Sequence, residues 1–311
     1  MKIALIVIIV IAAIAIGLGF FLSSYVMRVR PQTLEQARAW QEERLDISWY
    51  DTIEKMSYTV NSFDGYELHV QLLVNPVKSD NYVIITHGYT DNRIGSLKYA
   101  GIYLDQGFNV MIYDLRGHGE NEPSICTYTL RERKDLRDLI KDTKKRFENV
   151  KRIGIHGESL GAATSIAVLN YQPEIDFVVA DCPFGDISKV LKDIMKTNRL
   201  PGGLVEFAGF FIKLRYKVSL KDMKPCESLE GNRIPILFIH GKNDMFIPSY
   251  HSEMMVTQTE GLRDLRLVDG ASHAYSVFTD RNAYSGYIRE FLSEVYSGGK
   301  NGDQKDDTDG L

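Results

Sequence analysis

Three residues far apart in the chain have the types and settings of a nucleophile, a base and an acid that orients the base. The pentapeptide Gly157-Glu158-Ser159-Leu160-Gly161 follows an apolar, β-branched run, Arg152–His156, and precedes a helix-forming run, Ala162–Leu169. A serine at a tight strand-to-helix turn is driven into a strained backbone conformation that lifts its hydroxyl above the sheet. Glycine two residues before and two after lets the chain fold back without collision. The helix that follows turns its N-terminal partial positive charge on the site and favours a developing oxyanion. Such a string alone arises by chance in about one chain in ten of this length; its setting and its neighbours give it weight.

Upstream, His87-Gly88-Tyr89 closes the run Tyr82–Thr86. A glycine-containing turn at a strand end can present backbone N–H groups to a reacting carbonyl. The backbone N–H groups of Tyr89 and Leu160 are the natural oxyanion pair. The His87 side chain is expected to be a packed, hydrogen-bonded residue. Downstream, Ile239-His240-Gly241-Lys242-Asn243-Asp244 ends another strand-like run, and Gly270-Ala271-Ser272-His273 follows a third, Leu265–Val268. A neutral His273 can take the Ser159 proton and return it to the leaving group, with the Asp244 carboxylate fixing the tautomer. Asp181, also at a strand end, is the second choice of acid; Asp269 stands too close to His273 in sequence. His118, His156, His240 and His251 read as structural residues.

The elements that must position these groups alternate. Ser57–Ser62 and Tyr66–Val74 flank Asp64-Gly65, a hairpin signal. The apolar runs Tyr82–Thr86, Asn109–Tyr113, Arg152–His156, Phe177–Ala180, Ile236–Ile239 and Leu265–Val268 follow, most of them separated by helical stretches. In one of these, Leu136, Leu139, Ile140 and Phe147 share a face. Strands interleaved with helices call for an α/β fold with a mostly parallel sheet covered on both faces, and the hairpin adds an antiparallel edge. Between residues 184 and 232 no strand is evident. Leu204, Phe207, Ala208, Phe211 and Ile212 keep helical spacing there, as in an insertion that caps a site.

Residues from about 57 to 297 resemble the α/β-hydrolase superfamily, in chain order Ser…Asp…His and in the turn Asp114-Leu115-Arg116-Gly117-His118-Gly119. The subgroup is similar to serine-aminopeptidase-type and monoacylglycerol-lipase-type esterases. The resemblance implies an eight-stranded, mostly parallel sheet with a small helical cap. It implies Ser159, Asp244 and His273 as the triad, and Tyr89 and Leu160 as the oxyanion hole. The substrate class this implies is a small acyl ester or, second, a short peptide. A binding protein on a hydrolase fold is the reading from another class.

Outside this domain the chain is polarised. Every residue from Ile3 to Leu22 is Ala, Ile, Leu, Val, Phe or Gly, and no charge separates Lys2 from Arg28. About 20 such residues span a hydrocarbon layer of ~30 Å. Residues 1–27 are expected to be an uncleaved anchor in contact with membrane lipid, since no small-x-small cleavage site follows. Lys2 precedes the run and Arg28, Arg30 and Arg38 follow it, a count that favours a cytoplasmic body. A lone N-terminal span before a large domain is, however, the usual design of an exported domain left attached, and long domains translocate largely regardless of charge. The expectation is an extracytoplasmic body. Residues 28–56 read as a stalk or lead-in helix that Trp40, Leu45, Ile47, Trp49 and Tyr50 can dock. Residues 298–311 are too polar to bury a core and are expected to be a disordered tail. The 311 residues carry a net charge of −4, which gives no footprint for nucleic acid. Three scattered cysteines make neither a disulfide framework nor a zinc pattern, and no motif for a metal or cofactor is visible.

Overall fold

The β-branched runs become the strands of one sheet. The computed structural model describes residues 1–297, and the expected tail at 298–311 lies outside the described residues. The strands are β1 (Lys55–Asn61), β2 (Glu67–Leu73), β3 (Asn81–Thr86), β4 (Asn109–Tyr113), β5 (Arg152–Glu158), β6 (Phe177–Asp181), β7 (Ile236–Gly241) and β8 (Arg263–Val268). Their order is β1-β2-β4-β3-β5-β6-β7-β8. Strands β1 and β2 are antiparallel to each other, β2 is antiparallel to β4, and β3 through β8 are parallel. Gly65, at φ 82°, makes the hairpin turn.

Strands β4, β6 and β7 are buried at every residue, as a sheet covered on both faces requires. One face meets the helices Glu132–Arg146 and Leu160–Ala167, with Leu136, Leu139, Leu160 and Ala163 packed on Ile84, Met111 and Ile155. The other face meets Leu97–Leu104 and Arg281–Ser297, with Tyr103, Tyr284, Ile288 and Phe291 packed on Val83, Ile85, Val179 and Leu237. The chain steps from β3 outward to β4, then crosses back over β3 to β5. That reversal opens a crevice at the carboxyl ends of β3 and β5, where open α/β sheets hold their ligands.

Between β6 and β7 the chain inserts two helices, Ile187–Thr197 and Gly203–Tyr216. Residues 28–56 do not stand away from the body. Thr33 caps the helix Leu34–Glu42 in a capping box with Gln36. Trp40 packs edge-on against Phe278 at 5.2 Å, Ile47 is buried, and the Tyr50 hydroxyl donates to Gln71 at 2.5 Å.

The turn Asp114–Gly119 braces the sheet and carries no exposed reactive group. Arg116 pairs with Asp64 of the hairpin at 2.9 Å and with Asp135 of the helix Glu132–Arg146 at 2.6 Å. A Cβ at Gly119, whose φ is 56°, would overlap the Asp114 carboxylate. Burial pushes Asp135 up to about 6, against the pull of Arg116. Arg116→Ala therefore strands a buried carboxylate at neutral pH and is expected to cost about 3–5 kcal/mol. The loss should shrink at about pH 5, where Asp135 takes a proton instead. Urea unfolding at the two pH values measures both.

Candidate active site

Ser159 sits at the N-terminus of the helix Leu160–Ala167 with φ 52° and ψ −113°, the strained turn its flanking glycines foretell. The Ser159 N–H donates to the Asp181 carbonyl at 2.8 Å, and its own carbonyl accepts from Ala163 N at 2.9 Å. Any Cβ at Gly157 would meet the backbone of Gly161 and Ala162. At Gly161 the reason differs from the one inferred above. There a Cβ would run into the carbonyls of Thr86 and His87, so it is the neighbouring strand end that demands glycine.

His273 Nε2 lies 3.0 Å from Ser159 Oγ, and His273 Nδ1 lies 2.6 Å from Asp244 Oδ2. Two loops bring the histidine and the aspartate together. Lys242 N donates to Val268 O and Asn243 N to Ala271 O, both at 2.9 Å, and a Cβ at Gly241 would overlap Ala271. The loops after β7 and β8 are therefore stitched to each other. Ser159 and Asp244 are buried, while His273 keeps partial exposure.

Asp244 also receives a second imidazole. His240 Nε2 is 3.3 Å from Asp244 Oδ2, and Phe246 N and Ile247 N donate to Oδ1 at 2.9 and 2.8 Å. Burial opposes ionisation of Asp244, but the hydrogen bonds from His240 and His273 outweigh it and hold its carboxyl well below the usual range. Asp181, the second choice, does not reach His273. It accepts from Tyr284 and Tyr99 at 2.9 and 3.1 Å beneath the serine turn. Asp269 is exposed and pairs with Lys242 at 2.7 Å.

The loop His87–Tyr89 lies against the serine, since a Cβ at Gly88 would come 3.6 Å from Ser159 Cβ and 2.9 Å from Glu158 Oε1. Among the described residues, neither the Tyr89 nor the Leu160 backbone N–H donates a hydrogen bond. His87 fixes this loop. Its Nε2 accepts from Leu115 N at 2.9 Å, so Nδ1–H donates to Gly88 O at 2.8 Å. Burial lowers His87 to about 4, and His118 and His156 to about 3. All three are neutral brackets.

Three features had no signal in the sequence. Lys98, fully buried, pairs with Glu158 directly behind Ser159, and packs beneath Trp40 and Phe278. Cys182, Asp244 and His273 offer ligand atoms within 4.8 Å of one another. A soft cation fits such a set only by breaking the Asp244–His273 bond. Finally, the segment after the N-terminal helix straps the site. Val26 O accepts from the Tyr128 hydroxyl at 2.6 Å, Arg28 O from the Tyr89 hydroxyl at 3.0 Å, and Gln32 N donates to Thr90 O at 2.8 Å. An open groove of about 650 Å³ between Leu169 and Pro235 lies at the far ends of β6 and β7 and shares no residue with this site.

Residues 77–228 match the family described as serine aminopeptidase, S33. The uncharacterized protein YqkD of Bacillus subtilis is 32% identical over 290 residues, covering 91% of this chain and 94% of its own. The chain belongs to the S33 serine aminopeptidase family of α/β hydrolases. A yeast relative of this hydrolase, the Saccharomyces cerevisiae uncharacterized membrane protein YNL320W, is 25% identical over 73% of the chain and 76% of its own. Among solved structures the hydrolase is similar to the esterase Pf2001 of Pyrococcus furiosus, with a TM-score of 0.63 and 26% identity over 80% of this chain and 96% of that one.

The acids around the hydrolase site leave a measurable trace. Burial and the neighbouring Glu158 push Asp181 up to about 6. A carboxyl raised on folding stabilises most below its unfolded value, about pH 4, and loses that contribution as pH rises through its folded value. The loss is of the order of 2–3 kcal/mol. Asp181→Asn keeps an acceptor for both tyrosines and removes the titration. Urea midpoints between about pH 4 and 7 should fall more steeply for the natural protein than for the variant.

Proposed function

We propose that the protein is a membrane-anchored serine hydrolase that cleaves a carboxylic ester through an acyl-enzyme on Ser159. The observation that carries this is the unbroken hydrogen-bond chain Ser159 Oγ, His273 Nε2, His273 Nδ1, Asp244 Oδ2, at 3.0 and 2.6 Å, on a serine held at positive φ. Asp244, kept ionised, accepts from Nδ1–H and leaves Nε2 free to take the serine proton. Oγ attacks the ester carbonyl, and the oxyanion that forms is met by the N–H groups of Tyr89 and Leu160. The tetrahedral species expels the alcohol, which takes the proton back from Nε2. Water, deprotonated by His273, then attacks the acyl-Ser159 ester, and collapse releases the acid as Nε2 returns the proton to Ser159 Oγ.

In this scheme residues 1–27 anchor the protein, residues 28–56 lead into a hydrolase domain at 57–297, and residues 184–232 cap the site. The body stands outside the cytoplasm. Support for the anchor is a helix, Lys2–Met27, with no charge after Lys2 and nearly all of its length exposed. The ester is preferred to the amide because of the likeness to the Pyrococcus furiosus esterase. The family's own description as a serine aminopeptidase favours the second reading, hydrolysis of a short peptide.

Full-length protein in detergent is expected to be labelled by a fluorophosphonate, and Ser159→Ala is expected to be silent. Ser159→Ala should also lose turnover of p-nitrophenyl acyl esters by a factor on the order of 10⁶ if the three side chains act as a unit. Labelling of the variant overturns the assignment of Ser159. Turnover of aminoacyl-naphthylamides with none of the esters reverses ester and peptide.

A further inference from the structure

The inserted helix Gly203–Tyr216 has apolar residues on nearly every side, with only Glu206, Lys213 and Arg215 charged. Val205, Ala208 and Ile212 are buried on the body. Phe211 faces the N-terminal helix. Its ring packs edge-on against Phe20 at 5.3 Å and against Phe207 at 5.2 Å, and occupies the space a Cβ at Gly19 would need. Phe210 and Leu214 touch neither partner fully and remain 64% and 50% exposed. A helix that is apolar all round and half uncovered is unsuited to water.

Its depth follows from its neighbour. The apolar run Ile3–Leu22 fits a hydrocarbon layer of ~30 Å at 1.5 Å per residue. Gly19 and Phe20 lie inside the end of that run by about 3–5 Å, and Phe211 is packed on them. The contacts advance in step along the two helices, for Arg215 Nη1 donates to Ser24 Oγ at 2.6 Å, five residues past Gly19. Phe207 and Phe210, before Phe211, therefore lie on the membrane side of that contact, as does Glu206, whose charge is paired with Lys192 at 2.5 Å. Beyond this level both segments turn cationic. Arg28, Arg30, Lys213, Arg215 and Lys217 are all exposed, and Arg30 stacks on the Tyr25 ring at 5.3 Å. Aromatic rings and cations at one level mark the bilayer interface, where Lys and Arg meet anionic phosphates.

We infer that the exposed face of the helix Gly203–Tyr216 that carries Phe210 and Leu214 lies against the lipid leaflet that holds the C-terminal end of the N-terminal helix. This rests on the N-terminal helix spanning a membrane and is independent of the chemistry at Ser159. The body-facing residues Val205 and Ile212 belong to one apolar cluster with Leu160 and Ile247, the neighbours of Ser159 and of Asp244 and its loop. The wall of the site is thus continuous with a surface that lies in lipid.

The test uses the full chain with Cys226→Ser, in vesicles of phosphatidylcholine and phosphatidylglycerol. An environment-sensitive fluorophore is attached through Phe210→Cys, Leu214→Cys or, on an exposed apolar residue outside the cap, Val77→Cys. Doxyl groups on the lipid acyl chains should quench the labels at 210 and 214 at least twofold and leave the label at 77 unchanged. Gly19→Leu, which displaces Phe211, should weaken quenching at 214 while fluorophosphonate labelling at Ser159 reports an intact fold. Labels at 210 and 214 that behave like the label at 77 overturn the inference, as does protein that fails to float with the vesicles. Failure of fluorophosphonate labelling with quenching intact overturns the hydrolase reading alone.

Discussion

At Ser159 a residue with a side chain is held in a backbone conformation that costs of the order of 1–3 kcal/mol, and the surrounding structure must over-determine it. Three kinds of contact do so. The Asp181 carbonyl takes the Ser159 N–H at 2.8 Å. Gly157 and Gly161 let the turn and the end of β3 approach to distances no Cβ permits. Behind them Lys98 neutralises Glu158, whose carboxylate also supports the loop at Gly88. A buried ion pair is weak evidence for stability, because desolvation offsets much of its attraction. Here its value is positional: it fixes Glu158, which lies between the serine turn and the loop bearing Tyr89.

The electrostatics divide the buried histidines from the one that faces Ser159. His87, His118 and His156 are held neutral by burial; His87 and His156 spend both ring nitrogens on backbone or tyrosine partners, and His118 bonds Arg116 O through Nδ1. His273 is partly open and shares Asp244 with His240. A carboxylate that accepts from His273 Nδ1 and two backbone N–H groups, with His240 Nε2 at 3.3 Å, stays ionised and cannot rotate away. It therefore presents one oxygen to His273 Nδ1 whatever occupies the other side of the ring. Such preorganisation is how a polar site avoids reorganising as charge develops.

The strands were legible because each is a short run whose residue types and length leave little else to form, and the turn at Ser159 because glycine, serine and glycine at fixed spacing answer a steric demand. Asp244 and His273 were legible from their places just past strand ends. What escaped has no period and no local signature. Lys98 and Glu158 are sixty residues apart, and a lysine in a helix next to a tyrosine reads as solvated until the fold buries it. His240 reads as structural in the sequence, and it is bonded to Ser252 and Ile247, yet it also reaches Asp244, a contact set by the curl of one loop. The need for glycine at 161 was read from the right position with the wrong neighbour, because pairing of β3 with β5 is a fact of topology. Residues 28–56 were docked by the aromatics named for it, but its backbone contacts to the loop at Tyr89 and Thr90 carry no side-chain pattern to read.

Those backbone contacts change what the N-terminal helix can be. A flexible tether would leave the domain free to tumble, with no consequence for the site. Instead the strap from Val26 to Gln32 bonds to the hydroxyls of Tyr128 and Tyr89 and to the backbone of Cys126 and Thr90. Tyr89 is held by its side chain from the strap while the preceding Gly88 lies against Ser159, so a displacement of the helix must be absorbed either by these hydrogen bonds or by the loop. Met27 is fully buried and belongs to the same apolar cluster as Leu160, and close-packed interiors transmit strain in preference to absorbing it. The loop thus answers to two masters, the sheet end that positions it through His87 and the helix that grips it through Arg28, and the geometry around Ser159 is the compromise both allow.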